Sequence, residues 1–377
     1  MTRPITVVPV LGVPEVMAGD DLAALLLAGV ARSVKGGLTA GDVLVVSSKV
    51  VSKSLGLKAV GDDKSGVVAA ETVRVVAERH AGDRVTRVVE SAAGPVMAAA
   101  GVDASNTGPS GELLLLPRNP DGCARELLAA LRAGAGMPSA APLAVVLSDT
   151  AGRPWRAGLT DFALGAAGLR VLLDHRGTTD ADGRVLSVTA RAVADEVAAA
   201  ADLVKGKSDG VAAAVVRGLP EDWFTPGDPS NPGDLGDPSN PGDPGEFPSG
   251  ARSLVRTGPG DWFALGHVEA LRAALGIDPG SSDSHAVGIR SVTPEPWPTR
   301  VGRVVALTLF ADEDASADVQ TTADSATVML GATDPFGLGR LATRLEVAAA
   351  SEDLAVTTWG IPTGEHTVTA TLVPRDA

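Results

Sequence analysis

The segment "SDTAGRPWRAGLTD" (148–161) places an Asp, a Thr, two Arg, a Trp and a second Asp directly after the apolar run "LAVVL" (143–147). An Asp followed by a Thr at the carboxyl end of a buried strand offers two hard oxygens, the donor type that a divalent cation takes. Asp149 and Thr150 are therefore candidate metal ligands. The competing use of Asp149 is an Asx turn. Arg153 and Arg156, three apart, suit a clamp on a carboxylate or phosphate, or a simple pairing with Asp161. Trp155 reads as a packing anchor.

Three further segments carry chemistry. In "AAAGVDASNTG" (98–108) a run of small residues leads to Asp103 and Asn106, which a turn can aim at one ligand. In "VVSSKVVSKSLG" (45–56) Ser47 and Ser48 follow a strand, and Lys49 and Lys53 stand four apart. Hydroxyls, backbone amides and ammoniums gathered in this way suit a polyphosphate, although the glycines of a Walker loop are absent. In "DLVKGKSDG" (202–210) Lys205, Gly206 and Lys207 close a helix. They serve either as cations over phosphates or as favourable helix-end charge. Together these segments supply carboxylates for a cation and lysines for phosphates, the inventory of a metal–nucleotide enzyme. Other chemistries are poorly served. The five His are scattered, no nucleophile elbow appears, and no dinucleotide glycine fingerprint follows a strand. The one cysteine, Cys123, lies in an amphipathic helix pattern and reads as packed and inert.

The elements that must position these residues alternate over the first 219 positions. "PITVVPV", "DVLVVS", "LLLLP", "LAVVL" and "GVAAAVVRGL" read as strands. Helices are expected at 20–34, 67–80, 124–134 and 189–206, the last stopping at Gly206. Residues 220–250 form a Pro/Gly/Asp-rich insert in which "GDPSNPGD" occurs twice; it lacks the apolar surface needed to offset chain entropy and reads as disordered. Residues 251–276 look like a return to the first domain through an amphipathic helix. Residues 277–377 read as a small α+β domain, with strands at "VGRVVALTLFAD", "SATVMLGAT", "LAVTTWGI" and "HTVTATLVP" around a helix at "GLGRLATRLEVAAAS".

Composition bounds the answer. The 377 residues carry a formal net charge of −14 and no dense Lys/Arg run, which excludes the basic footprint of a nucleic-acid binder. No apolar run reaches the ~18–20 residues of a membrane span, and the N-terminus lacks a signal peptide's apolar core. The expectation is a cytoplasmic protein without membrane or nucleic-acid partners.

The four segments in this order resemble the coenzyme F-420 gamma-glutamyl ligase family. The resemblance is carried by "LGVPEV", "VVSSKVVSKSLG", "AAAGVDASN", "SDTAGRPWRAGLTDFALGAAG" and "ADLVKGKSDG", and extends over about 11–219 and again 251–271. It implies an α+β gamma-glutamyl ligase fold with intertwined subdomains, usually a homodimer. Residues 1–219 would then be a GTP-dependent glutamate ligase core. The implied reaction joins L-glutamate to the deazaflavin coenzyme F-420 precursor, with gamma-glutamyl extension as a further step, at the expense of GTP. The implied cofactor is a divalent metal, magnesium or manganese, with potassium as an additional ion. The resemblance implies that Asp103, Asp149 and Thr150 hold metal. GTP would lie against Val13, Pro14, Glu15, Val16, Ser47, Ser48, Lys53, Asn106, Lys205, Gly206 and Lys207. Arg153 and Arg156 are the candidates for a substrate carboxylate. Two departures stand out: Ser91–Ala92–Ala93 replaces an Arg or His-Gly element, and the C-terminal hundred residues show no flavin-binding nitroreductase pattern. The alternatives are a non-catalytic nucleotide- or deazaflavin-binding protein, and a related ligase with another carboxylate acceptor.

Overall fold

The computed structural model describes residues 4–59, 63–104, 112–207, 209–225, 250–257, 261–360 and 366–375. The chain opens with β1 (Thr6–Val10), α1 (Leu22–Ser33), β2 (Asp42–Ser47) and α2 (Ser48–Ser54). Then come β3 (Lys58–Ala59), α3 (Lys64–Ala70), a hairpin of β4 (Thr72–Ala81) and β5 (Arg84–Ser91), β6 (Val96–Ala98) and β7 (Leu113–Leu114). α4 (Pro120–Gly134) leads to the long hairpin β8 (Leu143–Arg153) and β9 (Arg156–Ala167). β10 (Leu172–Asp174), β11 (Ala190–Ala192), α5 (Val193–Lys205) and β12 (Ala213–Arg217) follow. The remainder is α6 (His267–Ala274), α7 (Ser282–Val287), α8 (Trp297–Leu309), β13 (Ser316–Thr321), β14 (Ala326–Gly331), α9 (Pro335–Ser351), β15 (Leu354–Trp359) and β16 (Thr367–Pro374). Mixed helices and sheets make the chain α+β, as its sequence predicts. The central part of the 220–250 insert, 226–249, lies outside the described residues, as does Asn106.

Contacts divide the chain into two units, Met1–Val73 with Glu90–Arg256, and Arg74–Val89 with Thr257–Ala377. The first is built on the sheet β1-β12-β2-β8-β9, in which only β2 and β8 run parallel. The run Val43–Val46 is fully buried because both faces of the sheet are covered. Leu44 and Val46 join the cluster of α1 and α4, while Val43 and Val45 join that of α5. The helices start where capping side chains allow: Asp21 accepts from the Ala24 N–H at 3.0 Å, and Asn119 accepts from the Gly122 N–H at 3.0 Å, caps worth about 1 kcal/mol each.

The second unit contains the antiparallel sheet β13-β14-β16-β15, whose Val328, Leu330, Ala370 and Leu372 pack on Val304 and Leu307 of α8 and Leu341 and Leu345 of α9. Three sequence expectations change here. The helix predicted at 67–80 is α3 ending at Ala70 and then strand β4, because Thr72, Val73, Val75 and Val76 are β-branched and Gly82 (φ 62°) turns the chain into β5. The strand predicted at 301–312 is helix α8. Its buried Val301, Val304, Leu307 and Thr308 recur at helical spacing, and Pro298 occupies its first turn. Residues 257–276, predicted as a return to the first domain, group with the second unit. There Arg272 of α6 pairs with Glu352 at 2.6 Å, and Glu269 pairs with Arg79 of β4. Only 251–256 return, held where Asp121 accepts from the Ala251 and Arg252 N–H groups at 2.8 and 3.1 Å.

Candidate active site

The carboxyl ends of the parallel pair β2 and β8 lie side by side, Ser47 against Ser148. A crevice at the ends of parallel strands is where open α/β sheets bind ligands. Here it opens into a cavity of about 1260 Å³ within the first unit. The cavity gathers thirteen of the predicted site residues: Val13 to Val16 from the β1–α1 loop, Ser47, Ser48 and Lys53 around α2, Asp103, Asp149 and Thr150, and Lys205 to Lys207 after α5. Arg153 and Arg156 do not line it. They pair across the tip of the β8–β9 hairpin, where Trp155 is 83 % exposed and sits at φ 56°. The sequence offers the two arginines as a clamp or as partners of Asp161, and Trp155 as a packing anchor; the hairpin carries all three outward, and Asp161 is held by Lys205 and Lys207.

Asp103 is positioned by an unusual backbone. Ala99, Ala100 and Gly101 take successive positive φ angles of 50°, 53° and 73°. Left-handed alanines cost roughly 1–2 kcal/mol each, a strain the fold tolerates next to this cavity-lining residue. Gly101 is required twice over, since a Cβ there would meet Leu116 Cδ1 at 2.3 Å. The chain then anchors Asp103 by exchanging both backbone hydrogen bonds with Leu114 of β7. Its carboxylate meets Lys49 Nζ at 2.7 Å.

Asp149 and its neighbours show how β8 divides the site. Side chains alternate along a strand. Val145 and Leu147 face the α1/α4 cluster, and Asp149 continues that series. Ala144 and Val146 face α5, and Ser148 and Thr150 continue theirs. Burial, opposed by the Thr150 N–H but reinforced by the like charges of Asp161 and Asp103, pushes the Asp149 carboxyl up to about 6. On the other side Asp161 of β9 lies opposite Thr150. It accepts from Ser148 Oγ at 2.9 Å, Thr150 Oγ1 at 2.6 Å and Lys205 Nζ at 2.7 Å. Burial would raise its carboxyl, but the Lys205 ammonium and these bonds outweigh it and hold the group below its ordinary value.

The sequence reading missed Lys58, Glu112, Asp161 and Asp202 as parts of the site, and it noted Lys49 without assigning it. All five line the cavity. Lys58 pairs with Glu112 at 2.8 Å, and Lys53 with Glu15. For the lysines the signal is composition. The chain has seven lysines among its 32 Lys and Arg residues, and five of the seven line this one cavity, whereas no arginine does among the described residues. Among the described residues no three His, Cys, Asp or Glu side chains converge as a cage that would hold an ion unaided. Cys123 is half-buried, and burial raises its thiol, as suits an inert side chain.

Comparison with known proteins agrees with this geometry. The family model described as F420-0:gamma-glutamyl ligase matches residues 11–218. A coenzyme F420:L-glutamate ligase of Halobacterium salinarum is 40% identical over 227 residues, covering 55% of this chain and 84% of that protein. The protein of the same name from Methanothermobacter thermautotrophicus is 39% identical over 236 residues, covering 57% of this chain and 90% of the relative. That of Natronomonas pharaonis is 39% identical over 227 residues, with 55% and 83% covered. The matched span contains every cavity-lining residue named above and stops short of the second unit's C-terminal segment. The chain belongs to the F420-0:gamma-glutamyl ligase family and is a ligase.

Proposed function

We propose that this chain joins L-glutamate to the coenzyme F-420 precursor at the expense of GTP, with a divalent metal at Asp103 and Asp149. The observation that carries the reading is the convergence of five of seven lysines on a cavity that also holds those two carboxylates. A cavity of about 1260 Å³ exceeds the ~300–1,000 Å³ of an ordinary ligand pocket and leaves room for two substrates. The donor set fits magnesium or manganese. Such an ion is held by one or two carboxylates plus phosphate oxygens and waters, so it needs no cage of three protein ligands. The raised Asp149 carboxyl fits as well, because a cation beside it would offset both the burial and the like charges that raise it.

The chemistry follows from the weakness of a carboxylate as an electrophile. A carboxylate oxygen of the precursor attacks the γ-phosphorus, the bond to the β–γ bridging oxygen breaks, and GDP leaves. The resulting acyl phosphate has a good leaving group. The amine of glutamate attacks its carbonyl carbon, phosphate departs, and the amine gives up a proton as the amide forms. When bound, the metal neutralises charge on the transferring phosphoryl group. In this reading Lys49, Lys53, Lys205 and Lys207 would orient phosphates; in the chain itself each faces a carboxylate, Asp103, Glu15 or Asp161. A potassium ion and a second copy of the chain, both implied by the resemblance, belong to the same reading.

Incubation with GTP, manganese, L-glutamate and the glutamate-free precursor tests it. The expected result is a product heavier by glutamate residues, with GDP released in step. GTP binding without turnover favours a nucleotide-binding protein, and turnover with a different carboxylate alone favours a related ligase.

A further inference from the structure

Four of the five cavity lysines face Asp103, Glu15 and Asp161 and enter the proposed phosphate chemistry. The fifth, Lys58, has no part in it. Its Nζ donates to Glu112 Oε2 at 2.8 Å, and both side chains are half-buried in the cavity wall. The backbone fixes where this pair stands. Lys58 of β3 lies opposite Leu114 of β7, and Leu114 exchanges both backbone hydrogen bonds with Asp103. Residues opposite each other in an antiparallel pair share a face, as do residues two apart along an extended chain. Lys58, Leu114 and Asp103 thus form a row, with Glu112 beside it, and all four line the cavity. Neighbouring strands stand ~4.8 Å apart, so the row places Lys58 about 10 Å from Asp103.

We propose that Lys58 and Glu112 seat the amine substrate of the ligase, Lys58 holding the α-carboxylate of L-glutamate and Glu112 its α-ammonium. The inference rests on the ligase reading above. It supplies the substrate clamp that Arg153 and Arg156, outside the cavity lining, do not. A lysine and a glutamate in contact offer a ligand one cation and one anion. A simple acid or a simple amine entering between them satisfies one and leaves the other charge without its partner, which is costly in a partly dry site. An α-amino acid satisfies both, because its carboxylate and ammonium sit on one carbon. An ammonium on a flexible stem, such as Lys58, exchanges one oxygen partner for another readily. The seat shares a cavity face with Asp103, so it brings the amine toward the carbonyl carbon that it attacks. It also selects for the two charged groups together, since losing either one leaves a protein ion unpaired.

Steady-state turnover with GTP, manganese and the glutamate-free precursor, at varied L-glutamate, tests the seat. Glutarate, which lacks the ammonium, and 4-aminobutyrate, which lacks the α-carboxylate, serve as competitors. Lys58→Gln and Glu112→Gln should each raise the KM for L-glutamate about tenfold or more, with the KM for GTP within about twofold. In the unaltered chain both competitors should bind about tenfold or more weakly than L-glutamate. Glu112→Gln should bind L-glutamate no better than glutarate, and Lys58→Gln no better than 4-aminobutyrate. A pair that merely clasps β3 to β7 behaves differently. The double exchange Lys58→Glu with Glu112→Lys restores such a clasp but reverses the seat, so the KM for L-glutamate should stay raised. A KM that does not move in the single variants, or that returns to its original value in the double exchange, would overturn the proposal while leaving the ligase reading in place. Absence of turnover in the unaltered chain would overturn both.

Discussion

The cavity of the first unit and the core of the second unit both contain charged pairs, but they use different cations. The cavity pairs are all made by lysine: Lys49 with Asp103, Lys53 with Glu15, Lys58 with Glu112, Lys205 and Lys207 with Asp161. The second unit contains no lysine in its sequence. Its pairs are made by arginine. Arg272 and Arg303 converge on the fully buried Glu352 at 2.6 and 2.7 Å, and Arg303 also holds Glu295 at 2.7 Å. Arg344 donates to the carbonyl oxygens of Leu275, Leu307, Thr308 and Phe310 and so closes the end of α8. The physical difference explains the division. A guanidinium is a planar fork that locks several acceptors in one geometry, whereas an ammonium is a point charge on a flexible stem that can exchange one oxygen partner for another. Fixed pairs hold the second unit together. Exchangeable pairs surround the space where phosphates are proposed to bind.

The largest expected effect is on the fixed side. Glu352→Ala leaves two buried guanidiniums without their shared carboxylate and should cost about 3–5 kcal/mol, read as a loss of denaturant midpoint for the second unit's transition. A cost under ~1 kcal/mol would mean that the arginine network is not holding that core. Changing the cation type then sharpens the contrast. Arg303→Lys loses the shared fork and should cost roughly 2 kcal/mol of stability. Lys53→Arg in the cavity should leave stability within ~0.5 kcal/mol but lower turnover about tenfold or more, because the bulkier fork holds Glu15 in place.

Asp149 gives a smaller effect with a definite sign. Its carboxyl titrates at about 6 in the folded chain against an ordinary 3.8, so between these values the folded chain keeps a proton that the unfolded chain has lost. The stability linked to this group is complete below about pH 4 and falls as pH rises through about 6. Without metal, Asp149→Asn should therefore be more stable than the unaltered chain at pH 7 by up to about 3 kcal/mol, with the gap closing toward pH 4. Denaturation curves across that range, repeated with manganese, check both the sign and the relief by a cation. The smallest effects belong to the hairpin tip. Arg153→Ala and Arg156→Ala should shift stability by less than ~0.5 kcal/mol, and their absence from the cavity lining favours an unchanged KM for glutamate.

Much of the site was legible because its residues sit at the ends of strongly patterned elements. The buried strands Asp42–Ser47 and Leu143–Leu147 announce themselves as apolar runs, and the polar residues that follow them fall at the same edge of the sheet. Asp161 was not legible as a cation partner, because its role depends on the β8–β9 register that sets it opposite Thr150. Glu112 and Lys58 meet only through the short pairing of β3 with β7, which leaves no periodic trace. The errors have similar causes. Residues 301–309 are rich in Val and Leu, which suit strand or helix, and only the spacing of the buried positions decides between them. Residues 72–81 continue without a breaker from a short helix, and their β-branched side chains and pairing with β5 override the apparent helical period.

The central claim is that the lysine-lined cavity carries a phosphoryl group from GTP to a carboxylate. Turnover of precursor labelled with ¹⁸O in both oxygens of its reacting carboxylate tests this directly, with the released phosphate analysed by mass spectrometry. An acyl phosphate leaves one labelled oxygen in each phosphate released, and that is the result expected. Unlabelled phosphate released in step with amide formation would contradict the account.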